Sequence, residues 1–257
     1  MSARAEPRGS SVWDAPSLRA GFLAALPLFL CYELGLLLSP AGSARSSSEL
    51  VLGRALFVFG ERMAWARWGL LGAACALCWV HGRDSHAPGE LARRLARRSA
   101  EGAVAGVFLA PLLGALLAWL GAEPSAAPEP PRSLAAVLTL LGAAPWEELL
   151  FRVATYGMLF LLVSRAAAFL GAPPAIRAYG AEWIALLGSA LAFAAFHLDA
   201  VQSSVGARGE PFRSALFLWR VAAGILLAAL FRWRGLGVSA WAHAVFNLGI
   251  ALGVGLP

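Results

Sequence analysis

Seven apolar stretches, near residues 20–38, 63–81, 102–121, 134–163, 181–199, 213–231 and 236–255, constrain this chain more than any other feature. A bilayer core is crossed by about 20 apolar helical residues, and without water inside it every backbone polar group must be satisfied within the span. The expected fold is therefore all-α: a polytopic integral membrane helical bundle of about seven transmembrane helices. Composition agrees, since 59% of the 257 residues are hydrophobic and 14% charged. The fourth stretch is the exception. Its roughly 30 residues exceed one straight crossing at about 1.5 Å per residue, so it is expected to tilt, protrude or break near Pro145. A break there would make eight segments.

A net charge of +6 raises the question of nucleic acid. The basic residues, all arginine, sit instead in short segments beside apolar spans, where they set membrane orientation. No nucleic-acid partner is expected; the lipid bilayer is. The segment "HGRDSHAPGELARRLARRSAE" reads as a loop carrying Arg83, Arg93, Arg94, Arg97 and Arg98, and "GAEPSAAPEPPR" sets Glu123 and Glu129 against Arg132. The first is expected to be cytoplasmic and the second external. Alternation then puts the N-terminus, the loop holding Arg165 and Arg177, and the "RWRG" turn at Arg232 and Arg234 inside. Arginine in place of lysine, with abundant alanine, fits a GC-rich bacterial source, so the expected location is a bacterial inner (plasma) membrane. The first stretch is long enough to read as a retained helix and not a cleaved signal.

Cys31, Cys75 and Cys78 all fall in apolar stretches, and an odd number there argues against structural disulfides. Cys75-x-x-Cys78 reads as two small apolar residues on a helix face and not as a redox or metal motif.

Ionisable groups at membrane depth cost about 2.5–3.5 kcal/mol each on insertion scales and usually face a cavity or one another. Three sites in the C-terminal half carry such groups. In "PWEELLFR", Glu148 and Arg152 are four apart and share a helix face, while Glu147 points roughly a quarter-turn away. The spacing predicts a Glu148–Arg152 ion pair that leaves Glu147 free. In "FAAFH" Phe193 and His197 share a face, and in "HAVFN" so do His243 and Asn247.

One free carboxylate, two imidazoles and an amide form a chemically capable set. A carboxylate stripped of water is a stronger base, suited to taking a proton from water. An imidazole can share that water, and an Asn NH₂ or a His N–H can stabilise an oxyanion. Alternatively, Glu147, His197 and His243 resemble the ligand set of a catalytic zinc or similar divalent metal. Either arrangement hydrolyses a peptide bond.

Glu147-Glu148-x-x-x-Arg152, Phe193-x-x-x-His197 and His243-x-x-x-Asn247, in that order on successive apolar segments, resemble the three motifs of the CPBP family of intramembrane proteases. That family includes type II CAAX prenyl endopeptidases and bacteriocin-processing or immunity-type (Abi-like) membrane proteins. The resemblance covers about residues 134–253. It implies a glutamate or metallo-type membrane protease that cleaves near the terminus of a membrane-associated protein or peptide. Glu147 would activate water, with Glu148 and Arg152 in support. His197 would assist the water or a metal, and His243 and Asn247 would hold the metal or the oxyanion. The expected organisation is residues 1–133 as about three N-terminal spans with the Arg-rich loop, and 134–257 as a CPBP-like catalytic core.

Other chemistries fit less well. The His-Glu-x-x-His of zinc site-2-type proteases is absent, and only Asp199 lies near a span to serve an aspartyl mechanism. Ser239 precedes His243 by one turn, but a rhomboid-like pair needs its histidine on another helix, so Ser239 reads as a packing residue. A proton-coupled transporter and a non-catalytic scaffold or immunity protein remain as alternative classes. Glu33, Asp199, Arg213 and Arg220 are expected to pair structurally.

Overall fold

The computed structural model describes residues 18–40, 51, 63–80, 88–121 and 130–254. Arg83, Glu123 and Glu129, and with them much of the loop-charge comparison, lie outside the described residues. Among the described residues eight α-helices longer than one turn follow in order: α1 (Leu18–Leu38), α2 (Met63–Val80), α3 (Pro88–Trp119), α4 (Leu134–Glu148), α5 (Gly157–Phe169), α6 (Pro174–Phe196), α7 (Ser214–Arg234) and α8 (Leu236–Ala251). A π-helical segment, Leu149–Tyr156, joins α4 to α5. Among the described residues there is no strand, only an isolated bridge between Leu198 and Glu210. The all-α membrane bundle expected from the sequence is what the chain forms.

Among the described residues each of the seven apolar stretches falls mainly on a helix, and five helical runs are long and apolar enough to cross a bilayer: Leu18–Leu38, Gly89–Trp119, Leu134–Phe169, Pro174–Phe196 and Ser214–Arg234. The last helix, Leu236–Ala251, is apolar but shorter, at 16 residues.

Several expected boundaries move, each for a local reason. The presumed Arg-rich loop is helical from Pro88 onward, so Arg93, Arg94, Arg97 and Arg98 occupy the first turns of α3. Pro at the first helical position is pre-organised, and Arg94–Glu90 (2.6 Å) and Arg97–Glu101 (3.2 Å) add pairs spaced four apart. Arg165 and Arg177 likewise lie inside α5 and α6, not in a loop. The connection between those helices is tight: Gly171 takes φ 72°, and Pro174 starts α6. Ser133 caps α4 by accepting a hydrogen bond from the Ala136 N–H at 3.1 Å.

The long fourth stretch does not end at Pro145. The run continues to Phe169, and the adjustment is the π segment beginning four residues after the proline. Thr155 Oγ1 bonds the carbonyl of Leu150 at 2.8 Å, following its five-residue spacing. Single π turns of this kind widen a helix locally, often at functional sites. Here it follows directly on Glu147 and Glu148.

Helix α8 is the centre of the bundle, packing against α1, α3, α4 and α7. Close approach to α3 depends on Gly102-x-x-x-Gly106: a Cβ at Gly102 would sit 2.6 Å from Trp241 Cβ, and one at Gly106 2.7 Å from Val245 Cβ. Polar ties fix the remaining registers. Arg67 donates to Glu33 at 2.7 Å between α2 and α1, both residues buried. Glu182 accepts from Tyr156 and from Arg232, each at 2.5 Å, joining the π segment, α6 and α7. Arg234 clamps both oxygens of Glu101 at 2.6 and 2.7 Å. Glu33 thus meets an arginine, as the sequence reading allowed.

Candidate active site

Glu147 and Glu148 close α4, Arg152 lies on the π segment, His197 is the residue after α6, and His243 and Asn247 lie on α8. Three polar groups meet at the buried carboxylate of Glu148. His243 Nδ1 is 2.9 Å from Oε1, the Ser239 hydroxyl bonds Oε2, and Arg152 Nε is 3.5 Å from Oε2. Glu148, Arg152 and Ser239 are fully buried and His243 nearly so. Charges taken out of water this completely are tolerated only when paired.

The predicted Glu148–Arg152 pairing is present, but as an ion pair without a hydrogen bond: all three guanidinium nitrogens of Arg152 lack a hydrogen-bond partner. Its carbon centre lies 5.0 Å from the centroid of the Phe193 ring, a cation–π contact. Phe193 also packs edge-on against His197 at 4.8 Å and His243 at 5.7 Å. This phenylalanine is the hub that brings the second motif to the other two.

Glu147 is arranged differently. Its side chain is 14% exposed, its Oε2 lies 3.6 Å from His243 Nε2, and that oxygen is buried without a hydrogen-bond partner. The His197 imidazole has an assignable proton. A carbonyl can only accept, so the 2.8 Å contact of His197 Nδ1 with the Phe193 carbonyl places a proton on Nδ1 and leaves Nε2 of the neutral ring as an acceptor. At His243, Nδ1 faces Glu148 Oε1 and Nε2 faces Glu147 Oε2; if Glu148 accepts from an Nδ1–H of the neutral ring, Nε2 is an acceptor turned toward Glu147. Asn247, half-buried, lies one turn beyond His243 on the same face of α8.

The candidate metal set of Glu147, His197 and His243 was tested against this geometry. Among the described residues no three or more His, Cys, Asp or Glu side chains are grouped so as to hold a metal ion. His243 Nδ1 is engaged by Glu148 and His197 Nδ1 by the Phe193 carbonyl, which leaves Nε2 as the one nitrogen either ring could offer a metal. As placed, these side chains are not grouped around a common point.

Ser239 is the residue the sequence reading missed: it is not a packing residue but a direct partner of Glu148, with the Leu227 carbonyl 3.1 Å away as a second acceptor. Its spacing of four from His243 was the available signal, since it puts both side chains on one face. An apolar cavity of about 340 Å³ lies against Leu149 and Val153 of the π segment, with Phe22, Leu77, Cys78 and Leu236. None of the candidate residues lines it.

Residues 129–249 match the family model described as Type II CAAX prenyl endopeptidase Rce1-like. The match coincides with the family resemblance carried by the three motifs and takes in all six candidate residues. It implies CAAX-type intramembrane protease activity for this integral membrane protein. No curated protein and no solved structure matches the chain.

Proposed function

We propose that the protein hydrolyses a peptide bond near the terminus of a membrane-associated protein or peptide, with Glu147 as the general base. The observation carrying this reading is the pair of acceptors left facing each other, Glu147 Oε2 without a partner and His243 Nε2 at 3.6 Å. One water can donate a proton to each, which turns its lone pair outward toward a substrate carbonyl. Glu148 keeps His243 in the required tautomer, as the carboxylate partner of a catalytic histidine does elsewhere. Ser239 and Arg152 hold Glu148.

Attack transfers one water proton to Glu147 as the new carbon–oxygen bond forms. The oxyanion falls to the side-chain NH₂ of Asn247, a donor with no carboxylate to satisfy. Collapse breaks the carbon–nitrogen bond, and Glu147 returns the proton to the leaving amine. The products are a carboxylate and an amine. His197, with Nε2 as an acceptor, helps orient the water. The cytoplasmic N-terminus stays part of this reading on the arginine distribution, and the bacterial inner membrane on the composition.

The test is comparative proteomics of cells expressing the wild-type protein or Glu147→Gln, searching for a membrane-associated protein whose terminus changes. The reading expects at least one terminus to persist uncut in Glu147→Gln cells. Identical termini in the two strains would instead favour a non-catalytic scaffold, and altered proton-coupled flux in vesicles would favour a transporter.

A further inference from the structure

The first turns of α3 repeat one short word: Leu91-Ala92-Arg93-Arg94 is followed at once by Leu95-Ala96-Arg97-Arg98. A period of four on a helix stacks like on like, so Arg97 stands one turn beyond Arg93 and Arg98 one turn beyond Arg94. Like charges at that spacing oppose the helix that carries them. Glu90 and Glu101 answer part of the repulsion through Arg94 and Arg97, at 2.6 and 3.2 Å.

Arg234, the last residue of α7, brings a further guanidinium to the same place from another helix. Its Nη2 donates to Glu101 Oε1 at 2.7 Å, and Arg97 Nε donates to that same oxygen at 3.2 Å, so the two nitrogens are at most about 6 Å apart. Arg98 feels the charges of both Arg234 and Arg94. Five arginines thus share this patch with two glutamates, a surplus of positive charge. Charge near a span is enough to set membrane orientation, and that task does not need an arginine from a second helix to join the first.

The depth of the patch is fixed by α3 itself. Its uncharged part runs from Gly102 to Trp119 and, at about 1.5 Å per residue, measures about 27 Å, close to the thickness of a bilayer's hydrocarbon core. Arg98 then lies about 6 Å outside that layer, at the level of the lipid headgroups. The side chains of Arg94, Arg97 and Arg234 are each more than half exposed, so an outside anion reaches them. Trp233, exposed beside Arg234, is the kind of aromatic that settles at this level. Further along α3, Val104, Val107 and Phe108 are exposed, an apolar surface suited to an acyl chain.

We propose that this patch is a docking site for an anionic phospholipid, with Arg97, Arg98 and Arg234 on the phosphate and the acyl chain along α3. The guanidinium fork suits phosphate oxygens, and basic clusters between helices at a membrane edge are where such headgroups gather. A soluble anion would match the charge but would leave the apolar surface of α3 unused. The bound phosphate ties α3 to the turn between α7 and α8, and relieves the repulsion built into the repeat.

The test titrates the full-length protein in neutral detergent with dioleoyl-phosphatidylglycerol or dioleoyl-phosphatidylcholine, counting retained lipid by native mass spectrometry. Phosphatidylglycerol is expected to bind at least about tenfold tighter, and the preference should shrink as salt rises. Arg97→Gln with Arg98→Gln should cut the preference to about twofold or less, whereas Arg97→Lys with Arg98→Lys keeps most of it. Arg165→Gln, at an exposed arginine on α5, should leave it unchanged. Helical circular dichroism checks each fold. If the double Gln variant does not fold, Arg97→Gln alone, at an exposed side chain, is expected to lower the preference at least about threefold. Equal binding of the two lipids, a preference that survives the Gln variants, or one lost as fully in Arg165→Gln overturns the site. Displacement of phosphatidylglycerol by an equal concentration of inorganic phosphate assigns the patch to a soluble anion and overturns the lipid.

Discussion

Two buried glutamate–arginine pairs lie in this bundle, and they are built on different plans. Glu33 and Arg67, in the N-terminal half, meet in a direct 2.7 Å hydrogen bond between α1 and α2. Glu148 and Arg152, in the C-terminal half, stay 3.5 Å apart with no hydrogen bond, and the carboxylate is shared with His243 and Ser239. The first is a fastener: the two charges meet directly across two helices, while Glu33 Oε1 makes no hydrogen bond. The second holds its charges slightly apart and uses the carboxylate to orient an imidazole, beside a Glu147 oxygen that makes no hydrogen bond. Unsatisfied buried polar groups are costly, and the second site gathers more of them: that Glu147 oxygen and all three guanidinium nitrogens of Arg152.

The comparison can be broken by substitution. The largest expected effect is on chemistry: His243→Ala should lower cleavage by about 10²–10⁴-fold, the usual worth of a positioned acid–base group, with the bundle intact by helical circular dichroism. Arg67→Met should leave cleavage per folded molecule unchanged. It should cost about 3–5 kcal/mol of stability by stranding the Glu33 charge, seen as a lowered unfolding temperature in detergent. The double variant Glu33→Leu with Arg67→Met should recover most of that loss. If Arg67→Met instead abolished turnover in the folded fraction, the division between fastener and site would fail.

Ser239→Ala sharpens the boundary between the two plans. It removes one hydrogen bond to a buried carboxylate, worth about 1.5–3 kcal/mol, and should reduce kcat more than it raises KM because Glu148 then holds His243 less firmly. Smallest is Arg94→Ala, which breaks an exposed pair with Glu90. It should shift stability by no more than about 0.5 kcal/mol and leave cleavage alone.

What the sequence disclosed follows from periodicity. Glu148 with Arg152, Phe193 with His197, and His243 with Asn247 are each four apart, so one helical turn already places them together. The apolar stretches likewise announce the bundle. Contacts between helices were hidden: Glu33 finds Arg67 across 34 residues, Ser239 finds Glu148 across 91, and Arg234 finds Glu101 across 133. These depend on which helices pack and in what register, which glycines such as Gly102 and Gly106 help decide through close approach; their four-residue spacing marks a packing face but not the helix that meets it. The helical start of α3 was misread because arginine at a membrane edge signals a loop by charge while being a good helix former by propensity.

The most direct measurement of the central claim is turnover of a pool of quenched-fluorescent CAAX peptides by purified wild-type and Glu147→Gln protein, with unfolding temperatures recorded on the same samples. The account predicts that Glu147→Gln loses cleavage to background while unfolding at the wild-type temperature. Cleavage by Glu147→Gln near the wild-type rate would contradict it.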